Sequence, residues 1–209
     1  MARKISMPII TALFVSSLLF IIAFLLGWNM GYRTSTDMES MLERMKTEDY
    51  SLEILTLIGG NLSCRLYEEE LARMSAQTDE FGWKIDLLEK KKGKMDSDVL
   101  SLKSNYALMQ ARNYLLLQRM RERCNVSIEP IIYFYSNENY TEATDLGIPL
   151  MRSKPPNAII YHFDVNVDNA AVRALRSEFG VVRVPVFFYR GARYEGYKSE
   201  EELRKIFGS

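Results

Sequence analysis

The sequence predicts an α/β protein: a C-terminal α/β domain preceded by a long antiparallel helical hairpin, coiled-coil-like, and by one N-terminal transmembrane helix. Three observations carry this. Met7 to Trp28 contains no charged residue. Thr34 to Cys124 contains no proline and repeats its apolar residues at helical spacing. Residues 125–209 alternate strand-like apolar runs with short amphipathic segments and close on a proline-bearing strand. The parts divide as 1–33 (anchor), 34–124 (helical stalk) and 125–209 (α/β domain).

At 1.5 Å per residue, Met7–Trp28 reaches about 33 Å, enough for a hydrocarbon core of about 30 Å. Arg3 and Lys4 precede it, and Trp28 and Tyr32 sit where interfacial aromatics gather. The run exceeds the usual signal-peptide core and no A-x-A-like site follows, so a retained anchor held in lipid through residues 7–28 is expected. Arg33, Arg44 and Lys46 offset the basic residues ahead of the span, so other features set the orientation. Only two cysteines occur, Cys64 and Cys124, a number that fits one disulfide outside the cytoplasm. Three candidate N-glycosylation acceptors follow the span: Asn61, Asn125 and Asn139. The expectation is a single-pass protein of the cell membrane with a cytoplasmic amino terminus and the bulk of the chain extracytoplasmic.

The proline-free middle reads as three helical segments. The first carries Met38, Met41, Met45, Leu52 and Leu55 and stops at Gly59-Gly60. The second carries Cys64, Tyr67, Leu71, Met74, Phe81, Ile85 and Leu88, with Thr78 in the gap. The third carries Val99, Leu102, Tyr106, Met109, Leu117, Met120 and Cys124, with Asn113 at a seam position. Gly93 stops the second helix, and Asp96-Ser97 caps the third. Cys64 and Cys124 are equidistant from Lys94, so an antiparallel pair turning there brings both to one level. That predicts a disulfide; two thiols facing each other across the seam are the alternative, and a redox-active pair is a further one. Two helices cannot cover both apolar stripes, so the first segment or a partner's helices are expected to supply a third side. The hairpin then stands as a stalk of about 45 Å.

In the last part, Pro130–Ser136 and Asn157–Val167 are runs of strand length. Asp168 or Asn169 caps a helix over Ala170–Phe179, which Gly180 ends. Val184, Val186, Phe187 and Phe188 surround Pro185, a residue tolerated where a ladder stops, often with a cis bond before it. Arg190-Gly191 turns the chain into Ala192–Tyr197, and Ser199 caps the last helix through the amides of Glu201 or Glu202.

The string FDVNVDNAAVRALRSEFGVVRVPVFFYRG in this order resembles the thioredoxin-like family, from its second strand through its cis-proline. The resemblance covers Asn125–Ser209. That family carries a Cys-x-x-Cys pair after the first strand; here Asn139 and Glu142 stand at those positions. Neither forms a thiolate, so the resemblance implies the fold and withholds disulfide exchange. It also implies a groove beside the cis-proline that receives extended polypeptide, lined by Val184, Pro185, Asn139 and Tyr140.

Equal numbers of acidic and basic residues give no reason to expect nucleic acid. No phosphate loop, nucleophile motif or metal cluster is recognisable, so no cofactor and no metal are expected. The single histidine, His162, reads as an ordinary strand residue. The expected function is non-enzymatic: a redox-inactive thioredoxin-like protein holding a protein partner or polypeptide client near the membrane, as an accessory subunit or chaperone-like module. Alternatives are a divergent thiol-disulfide oxidoreductase using Cys64 and Cys124, or an accessory subunit of an oligosaccharyltransferase complex. That complex has a subunit with a similar domain on the non-cytoplasmic side, though several later spans distinguish it.

Overall fold

The computed structural model describes residues 11–26, 40, 43, 64–138 and 145–208. The chain divides into two compact units, Met1–Ile54 and Leu55–Ser209. In the first, residues 11–26 form a helix, α1, with every residue exposed. Among the described residues, no helix is long and apolar enough to cross a membrane. α1 covers only the middle of the run over residues 7–28. The flanks of that run, Tyr32, and the first helical segment of the middle region lie outside the described residues, apart from Ser40 and Glu43, which are helical.

The second unit opens with the helical pair α2 (Cys64–Lys92) and α3 (Ser97–Cys124). Gly93 makes the turn possible: at φ 98° it adopts a conformation closed to most side chains, and its amide bonds the Glu89 carbonyl at 2.8 Å. Asp96 then caps α3, its carboxylate accepting from the amides of Asp98 (3.0 Å) and Val99 (3.3 Å). At the other end Cys64 and Cys124 form a disulfide, with Cα atoms 5.6 Å apart. Between these ends Tyr67, Leu71, Thr78, Phe81 and Ile85 are buried on α2, the stripe that the helical spacing marks. Gly82 lets Tyr106 of α3 come close: a methyl there would lie 3.0 Å from the Tyr106 hydroxyl.

The pair does not stand apart as a stalk. α3 is buried on two sides, burying Val99, Met109, Asn113, Leu117 and Met120 and also Lys103, Ala107, Gln110, Ala111 and Leu116. Leu117, Met120 and Tyr67 belong to the same core as Ile132, Phe134, Tyr161 and Phe163 of the sheet. The third side expected of a partner or of the first segment is therefore supplied by the chain's own sheet. Each fully buried Leu or Met here contributes about 1.5–3 kcal/mol of transfer free energy, a driving force that holds helices and sheet together.

The sheet comprises β1 (Glu129–Tyr135), β2 (Ala158–Asp164), β3 (Val186–Tyr189) and β4 (Ala192–Glu195), ordered β2-β1-β3-β4. β1 runs parallel to β2 and antiparallel to β3, and β3 is antiparallel to β4. Alternation along β1 sends Ile132 and Phe134 toward α3, and Ile131 and Tyr133 to the opposite face. That second face is covered by α4 (Gly147–Ser153) and α6 (Glu200–Phe207), through Leu150, Leu203 and Phe207. α5 (Ala170–Glu178) shares the first face with α3.

Caps settle the helix starts. Asn169, not Asp168, caps α5, its Oδ1 accepting from the Ala171 amide at 2.7 Å. Ser199 and Glu202 form a reciprocal capping box on α6. The edge strand β2 is closed by α3: the His162 amide donates to Gln110 Oε1 (3.3 Å), and Asn169 Nδ2 donates to the Ser104 carbonyl (2.9 Å). The opposite edge, β4, is short and carries Arg193 and Glu195, charges that discourage further strand pairing.

Candidate functional site

The parallel strands β1 and β2 end together, as their register of Tyr135 with Asp164 requires. A cleft of about 1000 Å³ opens there, at the carboxyl ends of the strands where open α/β sheets generally place ligands. One wall is the turn end of the hairpin, with Asp86, Glu89, Lys90 and Lys94. Ile148 and Met151 of α4, Val184 and Pro185 also line the cleft, as do the strand residues Tyr133, Tyr135 and His162.

Under the hairpin wall lies a buried ion cluster. Lys103 of α3 donates to Asp164 at the end of β2 and to Glu89 of α2 at 2.9 Å, and the three side chains are 3%, 2% and 14% exposed. Asn137 Nδ2 donates to both carboxylates, at 3.2 Å to Asp164 and 3.3 Å to Glu89. The ammonium also sits 5.6 Å from the centre of the Tyr135 ring. Two carboxylates thus share one ammonium and one amide, a set of hydrogen bonds that lets charge persist away from water. The cluster joins α2, α3, β1 and β2, and it fixes the hairpin wall relative to the strand ends.

The segment leaving β1 is held as tightly. Asn166 Oδ1 accepts from Ser136 Oγ (2.7 Å) and from the Asn137 amide (3.0 Å), while its Nδ2 donates to Glu138 Oε2 (3.1 Å). Asp164 Oδ1 accepts from the Asn166 amide at 3.0 Å. Tyr135 has its hydroxyl pKa raised well above the ordinary value by burial first, then by the nearby charges of Asp164 and Glu89. It therefore remains a neutral phenol.

His162 lines the cleft with its ring edge-on to Tyr133, 5.8 Å between centroids. Burial pushes its pKa down to about 4, and the charge of Asp145 opposes this only in part. The folded protein therefore holds a neutral imidazole where the unfolded chain takes up a proton near pH 6.5. More protons bind the unfolded state between those values, so stability falls as pH falls from about 6.5 to about 4, by on the order of 3 kcal/mol from this group. His162→Gln is expected to flatten that part of the profile. Urea midpoints of both proteins, compared at neutral pH and near the lower end of the window, check it; equal slopes would remove the assignment.

Of the residues the sequence singles out for a groove, Val184 and Pro185 line the cleft, and the bond between them is cis. Asn139, Tyr140 and Glu142 lie outside the described residues, as does Asn61. Among the described residues, no backbone hydrogen bond uses the amide or carbonyl of Val184, whereas the Pro185 carbonyl accepts from the Gly196 amide at 2.9 Å. Ile148 and Met151 are 48% and 54% exposed and contribute apolar side chains to the cleft.

Cys64 lies at the far end of α2 from the cleft-lining Glu89, about 37 Å along the helix at 1.5 Å per residue. The disulfide and the cleft are thus separate features. Sequence reasoning missed the ion cluster and the role of α2 and α4 in lining the cleft. The signal for the first was Asp164, an acid ending an otherwise apolar strand; Lys103 and Glu89 look like surface residues in the sequence.

No family model, curated protein or solved structure matches the chain.

Proposed function

We propose that the C-terminal domain is a thioredoxin-like module that binds extended polypeptide in this cleft and performs no thiol chemistry there. The observation that carries the reading is the cleft itself, whose lining joins the apolar side chains of Ile148, Met151, Val184 and Pro185 to the polar groups of Tyr133, Tyr135 and His162. The backbone of Val184, which makes no backbone hydrogen bond among the described residues, would pair with an added strand, and alternate side chains of that strand would meet the apolar side chains. The order β-α-β-α-β-β-α from β1 onward, the strand order β2-β1-β3-β4 and the position of Pro185 ahead of β3 all favour the fold assignment.

The membrane reading belongs to the same proposal. α1 exposes Leu13, Phe14, Leu19, Phe20, Leu25 and Leu26, each more than half accessible, with no charge among its residues. Such a surface is costly in water and favourable in lipid. In this reading the anchor spans residues 7–28, the amino terminus is cytoplasmic, and the oxidised hairpin and the cleft are extracytoplasmic.

Fluorescence anisotropy with a carboxymethylated, permanently unfolded polypeptide tests the binding. The double substitution Val184→Asp with Met151→Asp is expected to weaken binding at least tenfold, about 1.4 kcal/mol. An unchanged Kd in a folded variant would count against the cleft. The oxidoreductase alternative has a separate check: insulin reduction that depends on Cys64 or Cys124 would favour it over this reading.

A further inference from the structure

Asn125, the first residue after α3, carries a feature that the binding function does not use. It is followed by Val126 and Ser127, the pattern of an N-linked glycan acceptor. Asn125 and Ser127 are both exposed, whereas Val126 and Ile128 are partly buried against the core shared by hairpin and sheet. The segment therefore points its two acceptor residues outward and is pinned by the two between and beyond them. Asn125 has φ 50° and ψ 42°, a left-handed turn residue outside any helix or strand, where a bulky adduct displaces no ladder bond. It adjoins Cys124, whose disulfide fits an oxidising compartment.

Its position relative to the cleft matters as much as its exposure. Asn125 lies near the start of β1, and the cleft lies beyond its end. The seven residues of β1 span about 23 Å at roughly 3.3 Å each. An oligosaccharide on Asn125 would leave the cleft open.

We propose that Asn125 is an N-glycosylation site of this protein and that its glycan shields the disulfide end of the hairpin while leaving the polypeptide cleft accessible. The inference rests on the extracytoplasmic placement proposed above. In the transfer, the side-chain amide nitrogen of Asn125 forms a bond to the anomeric carbon of an oligosaccharide carried on a polyprenyl pyrophosphate. The carbon–oxygen bond to that pyrophosphate breaks, the lipid pyrophosphate leaves with the electron pair, and the amide proton passes to a base of the transferase.

The test uses the full chain purified from membranes of a host that performs N-glycosylation, with Asn61→Gln and Asn139→Gln removing the other acceptors. Intact mass before and after enzymatic deglycosylation is read together with thiol alkylation. The expected result is oxidised cysteines and a mass loss of one oligosaccharide, abolished by Asn125→Gln and by Ser127→Ala and retained by Ser127→Thr. Ser127→Ala keeps the left-handed Asn125 in place, so loss of the glycan there is not a folding defect. Oxidised cysteines with no mass change would overturn the inference and spare the placement. Cysteines that alkylate freely, again with no mass change, would overturn both.

Discussion

Lys103→Ala is expected to destabilise the folded chain by about 3–5 kcal/mol, because it leaves two buried carboxylates without their cation. Asp164 and Glu89 converge on the Lys103 ammonium, and their side chains are 2% and 14% exposed. Asn137 alone would remain to donate to both. An alanine in place of this lysine, whose side chain is 3% exposed, also leaves a void. Urea denaturation measures the loss. A double-mutant cycle separates charge from packing: Lys103→Met with Asp164→Asn removes one buried charge of each sign and fills the void, so the pair should lose clearly less than the two single losses added. Additive losses would mean that the ion pair is not what holds α3 to the end of β2. Because Glu89 also lines the cleft, Lys103→Ala should further weaken binding of the unfolded polypeptide in any fraction that remains folded.

Opening the disulfide is the second large effect. Cys64→Ser with Cys124→Ser, or reduction, releases a loop with sequence separation 60, and the chain-entropy model assigns such a loop about 4 kcal/mol. For a unit of this size that corresponds to a fall in Tm of roughly 10 °C. The loss should fall on the outer helix. α2 has α3 as its main partner, and its first buried residues, Tyr67 and Leu71, lie within two turns of Cys64. Hydrogen exchange should accordingly quicken over the start of α2 and the end of α3 while the turn at Gly93 keeps its protection. The pH dependence assigned to His162 should persist, since that residue belongs to the other end of the molecule. A reduced protein with unchanged Tm would show that the link constrains nothing in the unfolded chain.

The elements were legible where local chemistry governs them. Pro130–Ser136 differs from β1 by one residue, Ser199 caps α6 through Glu202, and Gly93 and Asp96 end one helix and start the next. The equal spacing of Cys64 and Cys124 about Lys94 sufficed to pair them, because an antiparallel helix pair converts chain distance into height along the hairpin. Among the described residues, the candidate site was legible at Val184 and Pro185. Its hairpin wall was not, since Asp86, Glu89 and Lys90 carry the charges of a solvated helix end and nothing local says that a sheet will meet them.

α3 shows why the rest was hidden. Its stripe of Val99, Met109, Leu117 and Met120 is plain at helical spacing, but its second buried side is made of Lys103, Ala107, Gln110 and Ala111, small or polar residues that read as solvent-facing. Each is acceptable there for a reason far away in the chain: Asp164 for Lys103, the His162 amide for Gln110. For the described residues of the second unit, the sequence by itself determined which segments are helix or strand, their ends to within about three residues, and which cysteines meet, because caps, turns and apolar periodicity act within a few residues. Only the tertiary structure decided that the hairpin lies on the sheet, that a lysine is buried, and that both together wall a cleft. Periodicity marks a face that must be covered, whereas contacts between residues distant in sequence choose what covers it.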